Sequence, residues 1–226
     1  MKNQQFDSIM LINKPINWSS FDVVKKIRSM IKKKHDVSKI KVGHSGTLDP
    51  LASGLLIICT GKKTKEISKF EKLDKTYIGT LKLGCITDSF DAETEEKNHK
   101  PYAHISIDNI NHVFSSFLGV QKQTPPIFSA LKINGERLYK KARRGERNIN
   151  LKKRNIIIQK LKILKFNPPL IEFSVTCSKG TYIRTLAHDI GEKLQCGGYL
   201  SNLIRTKIGK HQLNDSIDMK NVYDYL

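Results

Sequence analysis

Residues 170–194 read LIEFSVTCSKGTYIRTLAHDIGEKL, and two periodicities meet inside that run. From Leu170 to Cys177 the period is two: Ile171, Phe173, Val175 and Cys177 face one way, Glu172, Ser174 and Thr176 the other. Alternation of this kind puts one face in the core and one in water, as antiparallel sheets allow. After Gly180 the apolar residues Ile183, Leu186, Ala187, Ile190 and Leu194 recur at helical spacing, and Gly197-Gly198 supplies the stop.

Further out, Lys75 to Leu83 predicts a second alternating strand, with Tyr77, Leu81 and Leu83 on one face. Ser8 to Ile12 predicts a short strand closed by Asn13-Lys14-Pro15, and Ser19 and Ser20 can cap a helix with Phe21, Val24, Ile27 and Ile31 on its apolar side. Ile110, Val113, Phe114 and Phe117 mark an amphipathic helix after Asp108, Asn134-Gly135 signals a hairpin, and Asp88 to Glu96 reads as a solvated acidic loop. Strands and helices alternate without regular βαβ spacing. The expectation is an α+β fold with a mixed, mainly antiparallel sheet flanked by helices. No fixed-period repeat or linker divides the chain, so a single domain over residues 1–226 is expected.

The 226 residues carry 40 Lys and Arg against 21 Asp and Glu, a formal charge of +19. Such a surface attracts polyanions, nucleic acid first among them. Lys outnumbers Arg 32 to 8 and Ile reaches 27, a skew that codon-usage bias also produces. Two segments concentrate the charge, Lys25 to Lys41 and Lys140 to Arg154, each at +7. The second follows a Gly-containing turn and reads as a mobile basic arm suited to phosphates. The longest apolar run, Leu55 to Cys59, falls far short of the roughly 18–20 residues that cross a bilayer, so no membrane association is expected. The apolar stretch Ile9 to Ile12 is too short for a secretory signal, which predicts a cytoplasmic location. Cys59, Cys85, Cys177 and Cys196 form no CxxC pair, so neither a metal site nor a disulfide framework is expected.

The stretch with chemistry in it is Gly43-His44-Ser45-Gly46-Thr47-Leu48-Asp49-Pro50-Leu51-Ala52-Ser53-Gly54. It sets a carboxylate before proline in a Gly-punctuated loop beside His44, and the apolar run that follows would anchor the loop to a core. Asp49 either initiates an Asp-Pro turn or presents a reactive carboxylate; the residues alone leave both open. A phosphate-binding P-loop is rejected, since Gly54 to Lys62 has six residues between the glycines and Lys63 stands at the Ser/Thr position.

GHSGTLDPLASGLL resembles the signature of the TruB family of bacterial tRNA pseudouridine-55 synthases, usually GHTGTLDPLATG. Other family blocks follow in order from about Ile9 to Leu213: Lys14-Pro15 with Ser19-Ser20, Lys75-Thr76-Tyr77, QTPPIFSALKINGERLY, SKGTYIRTLAHDIGEKL and LSNLIRTKIG. Ser45, Ser53 and Phe128 are conservative departures, standing where Thr, Thr and often Tyr occur. Many relatives continue into a small RNA-binding C-terminal domain of the PUA type, which is expected to be absent here.

The resemblance implies a pseudouridine-synthase fold and an isomerase that breaks the N1–C1′ bond of a uridine, turns the base and rejoins it through C5, with no cofactor. It implies Asp49 as the essential carboxylate, attacking ribose or base, with Arg184 as its partner. The uridine must be flipped from its stack. Tyr77, a further catalytic residue, would stack on it and remove a ribose or base proton, Tyr182 and Leu203 would line its pocket, and His44 would support the rearranged RNA. Residues 124–154 resemble the family's basic insertion over the tRNA T-loop, and Lys14, Lys132, Arg143 and Arg144 are candidate RNA backbone contacts. The implied partner is the T-arm of tRNA, bound by a monomer. An RNA-binding tRNA folding helper, or a synthase for another RNA site, are the alternative functions.

Overall fold

The computed structural model describes residues 6–146 and 149–226, and the chain divides into two compact units. The first holds residues up to 78 together with 203–226. It contains β1 (Ile9–Lys14), α1 (Ser20–His35), β2 (Val42–His44), β3 (Ala52–Thr60) and α2 (Ile67–Glu71), with parts of β4 (Lys75–Leu83) and β10 (Gly198–Ile208), then β11 (His211–Gln212) and β12 (Ile217–Asp218). The strand order is β12-β1-β3-β10-β4, with β2 also paired to β3. β1 runs antiparallel to β3 from Ile9↔Cys59 to Lys14↔Gly54, whereas β10 runs parallel to β3 from Leu203↔Ala52 to Arg205↔Gly54.

β3 explains its own apolar run. Leu56 and Ile58 pack under α1 with Val23, Val24, Ile27 and Ile31, while Leu55, Ile57 and Cys59 pack on the opposite face with Ile67, Phe70 and Ile208. A strand covered on both sides has no polar positions to alternate. The α1 cap is as expected: Ser19 Oγ accepts from Asp22 N, and the Asp22 carboxylate accepts from Ser19 N, a capping box. The apolar face is rotated, however. Phe21 is 53% exposed and Val23 takes the inner place.

The second unit, residues 79–202, contains the remaining parts of β4 and β10 and α3 (Ile107–Ser116), β5 (Gly119–Gln123), β6 (Lys132–Ile133), β7 (Glu136–Arg137), α4 (Leu138–Arg143), β8 (Arg154–Asn167), β9 (Leu170–Cys177) and α5 (Ile183–Lys193). Its sheet runs β10-β4-β9-β8-β5, with β9 and β5 both antiparallel to β8. The alternation in β9 and β4 is realised: Ile171, Phe173, Val175 and Cys177 are buried in β9, and every odd residue from Lys75 to Leu83 in β4. Asn134 and Gly135 both have positive φ, as a tight hairpin turn between β6 and β7 requires.

Three expectations are corrected. Helix α3 starts before Asp108, at Ile107, capped by Ser106 through a reciprocal box with Asn109. The acidic stretch is not solvated throughout, because Ser89 and Asp91 are buried. Lys140 to Arg143 of the basic arm are helical, within α4. Arg147 and Asn148 of that arm lie outside the described residues. Among the described residues no helix is long and apolar enough to cross a membrane.

Candidate active site

The signature loop joins β2 to β3 in the first unit and is held at nearly every residue. Ser45 N donates to Ile57 O at 3.0 Å, and Ala52 N to Asp49 O at 3.1 Å. Ser20, first residue of α1, clamps Leu48 twice: its Oγ donates to Leu48 O at 2.9 Å and accepts from Leu48 N at 2.8 Å. Asn17 N donates to Pro50 O at 2.8 Å. From β10, the Arg205 guanidinium donates through Nε to Leu55 O at 2.7 Å, and through Nη1 and Nη2 to Thr47 O and Gly46 O at 3.4 and 3.3 Å. Arg205 is 1% exposed, so its charge is spent on the loop's carbonyls rather than on solvent. Gly54 has φ +105°, and a Cβ there would lie 2.4 Å from Arg205 O, so the parallel pairing of β3 with β10 demands glycine at that position. Half-buried Asp49 sits between these anchors.

The neighbouring strands bring other expected residues to the same unit. Leu203 on β10 pairs with Ala52 at the loop's exit, and buried Tyr77 lies on β4, next to β10. His44 ends β2; burial first, then the Arg205 charge, push its pKa down. Lys14 departs from its expected role. Expected among RNA backbone contacts, it is fully buried, and its Nζ donates to Pro15 O at 2.9 Å and Trp18 O at 2.5 Å, where no phosphate reaches it. Burial pulls its pKa down to about 8; the Asp49 charge acts against that shift and the Arg205 charge with it.

In the second unit Arg184 stands in the first turn of α5, 4% exposed. Its Nη1 and Nη2 donate to Ser89 O and Phe128 O, both at 3.0 Å, and Nε lies 3.4 Å from Asp91 Oδ2. The carboxylate beside Arg184 in this unit is therefore Asp91, from the stretch read as solvated. Tyr182 has its backbone fixed by buried Gln123, whose Oε1 accepts from Tyr182 N at 2.8 Å and whose Nε2 donates to Tyr182 O at 3.0 Å; the Arg154 guanidinium lies 5.3 Å from the Tyr182 ring centre. Of the other candidate backbone contacts, Lys132 is exposed on β6, Arg143 is paired with Glu93 at 2.6 Å, and Arg144 is gripped by Glu136 and Glu146. Asp49 lies in the first unit and Arg184 in the second.

A sequence profile described as the N-terminal domain of TruB family pseudouridylate synthases matches residues 29–183, and one described as the C-terminal domain of tRNA pseudouridylate synthase B matches residues 184–226. The chain belongs to the TruB family. It is 47% identical over 218 residues to tRNA pseudouridine synthase B of Phocaeicola vulgatus, covering 96% of this chain and 92% of that one. It is 46% identical to the protein of the same name from Flavobacterium johnsoniae, covering 93% and 92%. Among solved structures it resembles a chain of a Cbf5-Nop10-Gar1 complex with a TM-score of 0.71 and 25% identity, over 98% of this chain and 54% of that one; it thus spans about half the length of that chain. The fold is the pseudouridine-synthase α+β fold, with a mainly antiparallel sheet flanked by helices.

The residues missed by sequence reasoning are the supporting ones: Ser20 and Arg205, which hold the signature loop, and Gln123 and Asp91, which hold Tyr182 and Arg184. Ser20 and Arg205 stood inside recognised blocks, yet their side-chain targets are 28 and up to 159 residues away. Arg205 carried one usable signal, being one of eight arginines in a chain with 32 lysines. A planar fork that reaches several carbonyls at once is what lysine cannot replace.

Proposed function

We propose that this chain isomerises uridine to pseudouridine at position 55 in the T-loop of tRNA. The observation that carries the reading is the signature loop, whose fixed backbone presents Asp49, with Leu203 on β10 paired to Ala52 at the loop's exit and Tyr77 one strand further on, in β4. A reaction that must break and remake a glycosidic bond on one nucleotide needs such a pre-positioned group. Asp49 attacks the flipped nucleotide, the N1–C1′ bond breaks, the base turns, C5 bonds to C1′, the bond to Asp49 breaks and frees its carboxylate, and the C5 proton leaves as N1 regains one. Uridine extrusion costs a few kcal/mol, which stacking on Tyr77 and apolar contact with Leu203 and Tyr182 offset. Arg184 takes the role of the arginine that the family motif assigns to the reacting carboxylate. The exchange involves no net oxidation and no group donor, so it needs no cofactor. The protein works on the tRNA T-arm as a monomer in the cytoplasm, with the basic segment 124–154 against the phosphates.

Unmodified tRNA transcript incubated with the wild type should gain pseudouridine at position 55, and Asp49→Asn should abolish it while leaving tRNA binding intact. Binding and refolding of tRNA with no pseudouridine from the wild type would instead favour a folding helper. Pseudouridine elsewhere, with position 55 unmodified, would favour another RNA site.

A further inference from the structure

Cys85, Glu96 and His99 meet at the neck of the loop that grips Arg184. One thiol sulfur, one carboxylate oxygen and one imidazole nitrogen there all lie within 4.8 Å of one another. Backbone pairing fixes the neck: Ile86 and Lys97 exchange both N–H···O bonds at 2.9 Å, and Lys100 N donates to Gly84 O at 2.8 Å. Glu96 is itself oriented, since its Oε1 accepts from Lys82 Nζ at 2.6 Å and from Tyr199 Oη at 2.5 Å. Cys85 hydrogen-bonds the same carboxylate, so thiol and carboxylate already meet.

We propose that Cys85, Glu96 and His99 bind one zinc ion, with water in the fourth position. Sulfur, imidazole and carboxylate together are the donor set of zinc, whereas magnesium and calcium take oxygen donors. A tetrahedron with bonds of about 2.0–2.3 Å spaces its ligand atoms roughly 3.3–3.8 Å apart, so the three must close by about 1 Å. Exposed His99 can make that movement, while Cys85 is held in the core. Lys82 and Tyr199 act as the outer partners that aim the carboxylate, and the ammonium also lowers affinity for any ion that cannot gain a thiolate bond. Burial keeps the Cys85 thiol protonated in the free protein, so formation of the zinc–sulfur bond releases that proton to solvent. Between Cys85 and Glu96 lie Ser89 and Asp91, the residues that hold Arg184, so the ion would close the loop that orients this arginine. The inference is independent of the RNA position modified.

Cobalt(II) titration of the tag-free full chain tests it. One equivalent should produce a thiolate-to-cobalt charge-transfer band, and one equivalent of zinc should erase it by displacement. Cys85→Ser should lose the band with far-UV circular dichroism unchanged. His99→Ala, at an exposed residue that leaves the fold intact, should weaken zinc at least about 10-fold, the lower range found even for outer partners. Absence of the band in the folded wild type, its survival in Cys85→Ser, or an unaltered zinc affinity in His99→Ala would each overturn the assignment.

Discussion

Lys14 is a buried cation with a pKa of about 8 against an ordinary value of 10.5, and its charge state is coupled to both stability and the loop it adjoins. Between those two values the unfolded chain holds a proton that the folded chain has lost, so folding becomes more favourable as pH rises from about 8 to 10.5. Lys14→Met should flatten that part of the stability curve, measured by urea melts across the range. The same deprotonation removes a positive charge near Asp49, so pseudouridine formation should decline on the alkaline side near pH 8 in the wild type and lose that limb in Lys14→Met. A second residue-scale expectation concerns Gly54, where both the positive φ and the contact with Arg205 O oppose any side chain. Gly54→Ala should destabilise by about 2 kcal/mol or more, within the range for strained backbone plus a displaced neighbour, and a thermal melt reads it directly.

At the scale of elements, the signature loop is rigid because β10 and α1 grip its backbone from outside it. Arg205→Met leaves the carbonyls of Gly46, Thr47 and Leu55 without their donor, a loss of about 3 kcal/mol if one buried carbonyl remains unsatisfied. Arg205→Lys keeps the charge but cannot reach all three, so kcat should fall about 100-fold with tRNA affinity unchanged, the signature of a misplaced reacting group. A matching fall in affinity would mean that Arg205 supports RNA binding instead. Helix α5 carries a different tension. Burial first, then the Glu192 charge, raise the Asp189 carboxyl to about 6. Its stabilising contribution is complete below the unfolded value of 3.8 and lost as pH rises through about 6. Asp189→Asn should therefore raise the melting temperature at pH 8 by about 2–4 °C, the shift that ~1 kcal/mol produces in a chain of this size, and change it little at pH 4.

For the whole molecule, the excess of +19 predicts tRNA binding that weakens steeply with salt. Replacing Lys140, Lys152 and Lys153 with glutamine should each reduce the slope of log affinity against log salt by about one where the residue meets a phosphate. Arg143 and Arg144 should contribute less, because Glu93, Glu136 and Glu146 already neutralise them in the free protein.

Local sequence determined β9, β4, α5, the α1 cap and the Asn134-Gly135 hairpin, because period, cap chemistry and positive-φ preference are properties of neighbouring residues. It also marked Asp49, since the whole signature is one contiguous run. Only the tertiary structure decided that Lys14 turns inward, that Phe21 faces water, that Asp91 lies beside Arg184 and that Arg205 holds the signature loop. Those outcomes depend on strand register between segments far apart in the chain: Lys14 opposite Gly54, and Arg205 opposite the same glycine. A one-residue slip in either pairing would turn each side chain to the other face, and no local pattern in the sequence encodes that choice.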